Sequence, residues 1–205
     1  MLRRDVRVWN VGLAPAPVTK VSANGDEITY KWHVIYNAQK KLYTYRFTTK
    51  LYLDPNDRHH RIHMYDHMDM DTLGEALCTF EGTHDFRAFA GAVEANQRRS
   101  GKTLGTTRTV YKVDLVDEGG GNYRVDFLLK GALYKMVRNM MGSAFKVAQG
   151  KMKMERLEEL LHHVDPELDV NQRTSLVQFV RKDNKCKPAP PEGLTLERVF
   201  FEEDF

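Results

Sequence analysis

Two runs in the middle of the chain, Thr107 to Val116 (TRTVYKVDLV) and Tyr123 to Leu129 (YRVDFLL), alternate apolar and polar residues and flank Glu118-Gly-Gly-Gly-Asn122. Alternation sends every second side chain to the same face, so each run is a strand with one buried and one wetted side. Glycines between such runs accept the positive φ of a tight reversal, and the pair is predicted to be an antiparallel hairpin. Its buried side needs a cover. Directly downstream, Leu133 to Gln149 sets Leu133, Met136, Val137, Met140, Met141, Ala144 and Val147 on one wide helical face, and Gly150 closes that helix.

The remaining periodicities agree with this mixture. Asp5 to Gly12 alternates as a strand, and Leu13 to Asp26 has the Pro, Gly, Ser and Asn of a connection. Glu27 to Tyr36 and Leu42 to Leu53 are rich in β-branched and aromatic residues and are predicted to be strands, with a hairpin or short connection between them. Asp54 to Asp71 is polar and is predicted to be a loop. Thr72 to Phe80 has helical spacing at Leu73, Ala76, Leu77 and Phe80, with Gly82 as its stop. Met154 to His163 repeats the helical pattern, and Gly193 to Phe201 supplies a last strand. Strands and helices in runs, with hairpins, indicate an α+β fold: an antiparallel or mixed sheet with helices packed on one face.

Composition bounds the function classes. At 205 residues, 41% hydrophobic and 29% charged, the chain suits one globular domain, and no segment approaches the roughly 18 apolar residues of a membrane helix. The N-terminus has no signal-peptide pattern, and Cys78 and Cys186 do not make a disulfide framework, so a soluble protein in a reducing intracellular compartment is expected. A formal net charge of +3 permits a nucleic-acid partner without arguing for one.

Three stretches carry chemistry. In Tyr134 to Gly142 (YKMVRNMMG), Arg138 has large apolar neighbours along the helix, so its guanidinium either snorkels past them or pairs with a carboxylate or phosphate in a cleft. In Lys40 to Arg46 (KKLYTYR), alternation sends Leu42 and Thr44 to one face and Lys41, Tyr43 and Tyr45 to the other. That second face is either a solvated surface with half-buried tyrosines or a place where phosphates are held and bases stack. His59, His60, His63 and His67 lie among acids between Asp57 and Asp71. His63 and His67 have a spacing that could ligate zinc on a helix, but there is no thiolate and no helix signal, and a polar loop without a metal is expected.

Taken in order, five segments resemble the TruA-type tRNA pseudouridine synthases. Trp32-His-Val-Ile-Tyr-Asn-Ala-Gln-Lys-Lys-Leu-Tyr-Thr-Tyr45 is similar to the family's F-H-A-R-x-x-A-x-x-K-x-Y-x-Y stretch. Phe80 to Phe89 resembles G-x-H-D-F-x-x-F, and Thr107 to Val110 resembles the R-T strand that follows it. Leu133 to Gly142 resembles F-x-x-x-M-V-R-N-x-x-G nearly letter for letter, and Ala189 to Phe201 resembles A-P-x-x-G-L-x-L-x-x-V-x-Y.

The resemblance implies isomerisation of uridine to pseudouridine in tRNA, with no cofactor. An aspartate attacks the ribose carbon or takes its proton, and the freed base rotates and reattaches through carbon. The tyrosine that packs against the target base falls on Tyr43, and the arginine that pairs with the aspartate falls on Arg138. RNA is expected to be held by Lys40, Lys41, Arg46, Arg98, Arg99, Lys102 and Arg108, with Arg98 to Arg108 in a Gly-bearing loop. A homodimer is implied for the full-length enzyme. The departures are equally specific. The 205 residues contain no G-R-T-D-A-G-V-H segment, where the family's aspartate sits, so the chain is expected to be a C-terminal half that is inactive alone. Asp85 matches a different family position and is expected to cap a turn. Ile35 replaces the motif arginine, and insertions are expected at Leu13 to Thr29, Asp54 to Asp69 and Gln172 to Lys187. The alternative is an inactive RNA-binding or structural ribonucleoprotein module of the same fold.

Overall fold

A computed structural model describes residues 12–22, 24–101, 105–163 and 179–201. They fall into two compact units: one drawn from Met1–Gln39 and Phe200–Phe205, the other Lys40–Val199. The strand expected over Asp5 to Gly12 lies mostly outside the described residues.

In the first unit, β1 (Val18–Val21) and β2 (Glu27–Tyr30) form an antiparallel ladder from Val18 opposite Tyr30 to Val21 opposite Glu27. The predicted connection over Leu13 to Asp26 therefore contains a strand, and the predicted strand over Glu27 to Tyr36 stops at Tyr30. A turn follows, in which the His33 amide donates to Asn37 Oδ1 at 2.7 Å and the Ile35 amide to His33 Nδ1 at 3.2 Å. Short polar side chains close to the backbone offered a competing set of hydrogen bonds, which the β-propensity of Val34 to Tyr36 concealed.

The second unit is built on the predicted hairpin. β6 (Thr107–Gly119) and β7 (Asn122–Leu129) pair antiparallel, turning through Gly120 and Gly121 at φ 59° and 79°. A bulge between Val110 and Lys112 takes Tyr111 out of the ladder, and Lys40 Nζ lies 5.1 Å from its ring centroid. β3 (Ala38–Thr48) pairs antiparallel with β7 and not with β2, which corrects the predicted hairpin between those strands and the boundaries Leu42 to Leu53. β4 (Ile62–His63) pairs parallel with β3, β5 (Gly82–Asp85) pairs antiparallel with β6, β8 (His162–His163) pairs with β5, and β9 (Leu194–Phe201) pairs with β3.

One face of this sheet is apolar. Tyr45 and Phe47 on β3, Val125, Phe127 and Leu129 on β7, and Val110 and Val113 on β6 are buried together. They are covered by α1 (Met70–Cys78) and α3 (Met136–Ala148), with Phe145 of α3 meeting the rings of Phe47 and Tyr45 at 5.2 and 6.1 Å between centroids. α1 begins two residues before the predicted helix because the Asp69 carboxylate caps it, accepting from the Asp71 amide and the Thr72 hydroxyl. α3 begins at Met136 and not Leu133, since Lys135 adopts φ 59°, yet Leu133 is buried as predicted. Almost every residue of α3 is buried, because a second layer lies on its outer side. That layer includes the segment ending in Ala189 and the 3-10 turn Arg87–Phe89, to which Asn139 Nδ2 donates at the Phe89 carbonyl. α2 (Val93–Ser100) and α4 (Met154–Leu160) complete the helices, and Leu157, Leu160 and Leu161 are buried as their spacing requires. The architecture is α+β, an antiparallel sheet with one short parallel pair and helices on its apolar face.

Candidate functional site

Strand alternation places Lys41, Tyr43, Tyr45 and Phe47 on the apolar face of β3, opposite Leu129, Phe127, Val125 and Tyr123 of β7. Tyr45 is fully buried, and its hydroxyl donates to the Pro190 carbonyl at 2.8 Å. It is a packing residue of the core, so at Tyr45 neither reading of this face holds, the solvated surface with half-buried tyrosines or the place where phosphates are held and bases stack. Burial pushes its hydroxyl far above the ordinary tyrosine range; Arg138 opposes this shift and Glu192 adds to it. Tyr43, one same-face step of about 7 Å along the strand, is half-buried, and burial raises its pKa as well.

Arg138 projects from α3 on the side where the chain Lys187 to Gly193 crosses the helix. The crossing is a two-way clasp: the Ala189 amide donates to the Arg138 carbonyl at 2.8 Å, and Arg138 Nε donates to the Ala189 carbonyl at 2.7 Å. Two glycines permit the close approach. A Cβ on Gly142 would overlap the Lys187 carbonyl oxygen, and one on Gly193 would sit 2.7 Å from the Arg46 carbonyl and 2.8 Å from Tyr45 Cζ. Arg138 therefore does not simply snorkel to solvent. Its Nε is committed to the clasp, while its two terminal nitrogens hydrogen-bond to no described residue and pair with no carboxylate among the described residues. The arrangement presents a fixed cationic fork whose free prongs suit a carboxylate or phosphate.

Of the expected RNA-contacting cations, Lys41 shares this face of β3 with Tyr43, and others do not. Lys40 and Arg46 alternate to the opposite side of β3, where Arg46 pairs with Glu197 at 3.4 Å. On that same side Thr44 donates to Asp126, which also pairs with Arg124. Arg98 and Arg99 lie on α2, and Arg108 lies on β6, so the two ends of the predicted loop are helix and strand. Arg108 donates to the carbonyls of Gly105 and Thr107, its pKa is lowered by burial, and with Thr107, Thr109, Lys130 and Gly131 it lines a cleft of about 340 Å³. Lys102 is outside the described residues. Asp85 accepts from the Arg87 amide at 3.0 Å and organises the 3-10 turn, as expected of a cap.

The histidine-bearing stretch Asp54 to Asp71 is turns, the two residues of β4 and the start of α1. His63 Nε2 shares a 2.6 Å hydrogen bond with the Lys50 carbonyl, and its ring lies 4.1 Å from that of Tyr65. Among the described residues no group of three or more His, Cys, Asp or Glu side chains is placed to hold a metal ion.

Sequence reasoning singled out Arg138 and Tyr43 but missed the clasp that positions the first. Its signal was present in Gly142, a glycine inside a helix, which the crossing chain explains.

Comparison with known proteins identifies relatives of the chain. Residues 76–202 match the family described as tRNA pseudouridine synthase. The chain is 32% identical, over 100% of its length, to tRNA pseudouridine synthase A 1 of Protochlamydia amoebophila, covering 66% of that protein. It is 29% identical over 90% of its length to tRNA pseudouridine synthase A 2 of Clostridium perfringens, covering 66% of it. It is 33% identical over 84% of its length to tRNA pseudouridine synthase A of Akkermansia muciniphila, covering 59% of it. The chain thus spans slightly less than two thirds of the length of these relatives.

Proposed function

The chain belongs to the tRNA pseudouridine synthase family, of the TruA type, and on that premise we propose that it supplies half of an active site that isomerises uridine to pseudouridine in tRNA. The observation that carries the reading is the Arg138 fork, clasped through Nε and open at both terminal nitrogens among the described residues. An aspartate brought against it is held ionised by the adjacent positive charge, as a nucleophile or proton acceptor must be. Tyr43, half-buried on the same side of the sheet as α3, packs against the target base and is the candidate proton acceptor. Burial raises its pKa, so its hydroxyl is protonated and can take a proton only by passing its own on. The base must leave the RNA stack to reach such a site, and this exposes the ring face on which it packs. The chemistry uses no cofactor.

The 205-residue sequence carries no G-R-T-D-A-G-V-H segment, and positioning alone does not replace the missing carboxylate. The test incubates unmodified tRNA with this chain, alone and joined to a half bearing that segment, and scores pseudouridine by carbodiimide-adduct primer extension. Activity only in the joined protein supports the proposal. Turnover by the chain alone overturns the assignment and makes Asp85 the first suspect. RNA binding without turnover in the joined protein favours the inactive ribonucleoprotein module. A homodimer and a reducing compartment, consistent with free thiols at Cys78 and Cys186, belong to the same reading; light scattering of the joined protein tests the first.

A further inference from the structure

α3 carries Arg138, Gly142 and Lys146 at successive turns of one face, so Lys146 lies about 12 Å beyond Arg138 along the helix. The chain that clasps Arg138 follows the same path in reverse. Ala189 meets Arg138, Lys187 approaches Gly142, Asn184 Nδ2 donates to Ser143 at 3.1 Å, and Cys186 Sγ lies 3.7 Å from Met152 Sδ. Where helix and chain diverge they leave a cleft of about 900 Å³, whose walls bear Lys146, Lys151, Arg156, Lys185 and Lys187 against one lining acid among the described residues, Asp183.

We propose that this cleft is a second docking point for the phosphodiester backbone of the RNA, its Lys146 wall about 12 Å along α3 from Arg138. The inference rests on the tRNA reading above. Three features support it. The loop that presents Lys185 and Lys187 is rigid before any ligand arrives. Arg181 donates to the carbonyls of Asn184 and Cys186, the Cys186 amide donates to Asn184 Oδ1, and Asn184 is buried. Ordering entropy is thereby spent in folding and not on binding. Secondly, Asp183 does not neutralise the two lysines, because its Oδ2 accepts from the Val180 amide at 2.8 Å. Lys185 and Lys187 are exposed and have no partner among the described residues. The other cations hold partners near the surface: Lys151 with Asp66, Lys146 with Gln149, and Arg156 with Glu159, the Asp183 carbonyl at 3.3 Å and the Phe179 ring at 4.9 Å. Thirdly, the cations come from α3, the bend after it, α4 and the loop at Lys185 to Lys187, around a cleft of about 900 Å³, which fits a chain of phosphates better than a single small anion.

The experiment measures anisotropy of a labelled, unmodified tRNA transcript titrated with the chain between about 25 and 200 mM salt. It compares the unaltered protein, K185Q/K187Q, and the charge-matched control K20Q/K31Q from the other unit. The slope of log K against log salt is expected to fall by about 1.4 to 1.8 in K185Q/K187Q, and to change little in the control. All four lysines are exposed and without partners among the described residues, so the melting midpoints of both variants are expected to stay unchanged. If the unaltered chain binds and both double variants lose the same slope, the cleft is not a docking point, while the tRNA reading stands. If the unaltered chain binds no tRNA at the lowest salt, both the reading and the inference fail.

Discussion

Replacing Gly142 by alanine sets helix propensity against tertiary packing, and the two predict opposite signs. Gly142 lies in the interior of α3, where alanine is favoured by about 1 kcal/mol. Its missing Cβ, however, is the space through which Lys187 to Ala189 crosses. A methyl group there would overlap the Lys187 carbonyl oxygen and stand 3.2 Å from the Ala189 amide nitrogen. These are backbone atoms, so no flexible side chain can swing aside. Displacing the crossing chain breaks the Ala189 amide bond to the Arg138 carbonyl and the Arg138 Nε bond to the Ala189 carbonyl, together about 1 to 3 kcal/mol. Overpacking adds about 1 to 3 kcal/mol. After the propensity gain, the net loss is about 1 to 5 kcal/mol. A loss near the middle of that range lowers the melting midpoint by about 6 to 12 °C in a chain of this size. Thermal and urea denaturation of Gly142→Ala measure it, and the joined enzyme is expected to lose turnover as Arg138 is released. A variant as stable as the parent, or more stable, would refute the clasp as the reason for glycine at this position.

Met140→Ala is expected to lose about 2 to 5 kcal/mol in urea unfolding, since Met140 is fully buried in α3; a loss under about 0.5 kcal/mol would place it at the surface. Tyr45→Phe leaves the Pro190 carbonyl without its donor and is expected to cost about 1 to 3 kcal/mol. The raised pKa of Tyr45 also gives a sign with pH. Above about pH 10 the unfolded tyrosine releases a proton that the folded one retains, so stability is full below that pH and falls as pH rises, and Tyr45→Phe is expected to flatten the fall in alkaline melting curves. Arg138→Lys in the joined enzyme is expected to lower kcat about 10- to 100-fold, because an ammonium cannot make both the Nε clasp and a two-pronged carboxylate contact; unchanged turnover would remove Arg138 from the site. Tyr43→Phe retains the ring and removes the hydroxyl, so tRNA affinity is expected to hold while single-turnover rates fall.

Much of the fold was legible because it rests on local periodicity. The hairpin across Glu118 to Asn122, the burial of Leu73, Ala76 and Leu77 on α1, and the apolar residues of α3 each follow from spacing within one element. The boundaries of β2 and β3 were less legible, since aromatic and β-branched residues run on through the turn at Val34 to Tyr36 and past Thr48. Which strands distant in sequence pair was not legible at all. Nothing within Leu42 to Thr48 says that it lies beside β7, because pairing depends on residues some eighty positions away.

The candidate site divides along the same line. The sequence by itself determined which groups are present: a tyrosine at 43, an arginine at 138 on a helix, and glycines at 142 and 193. Only the tertiary structure decided that Tyr45 is core while Tyr43 is half-open, and that Arg46 turns to the far side of the sheet with Glu197. It also decided that Arg138 holds Ala189 with one nitrogen and leaves two free among the described residues. The physical reason is that a side chain's chemistry is carried by its atoms, whereas its burial, its partners and the prongs left available depend on which distant backbone crosses it.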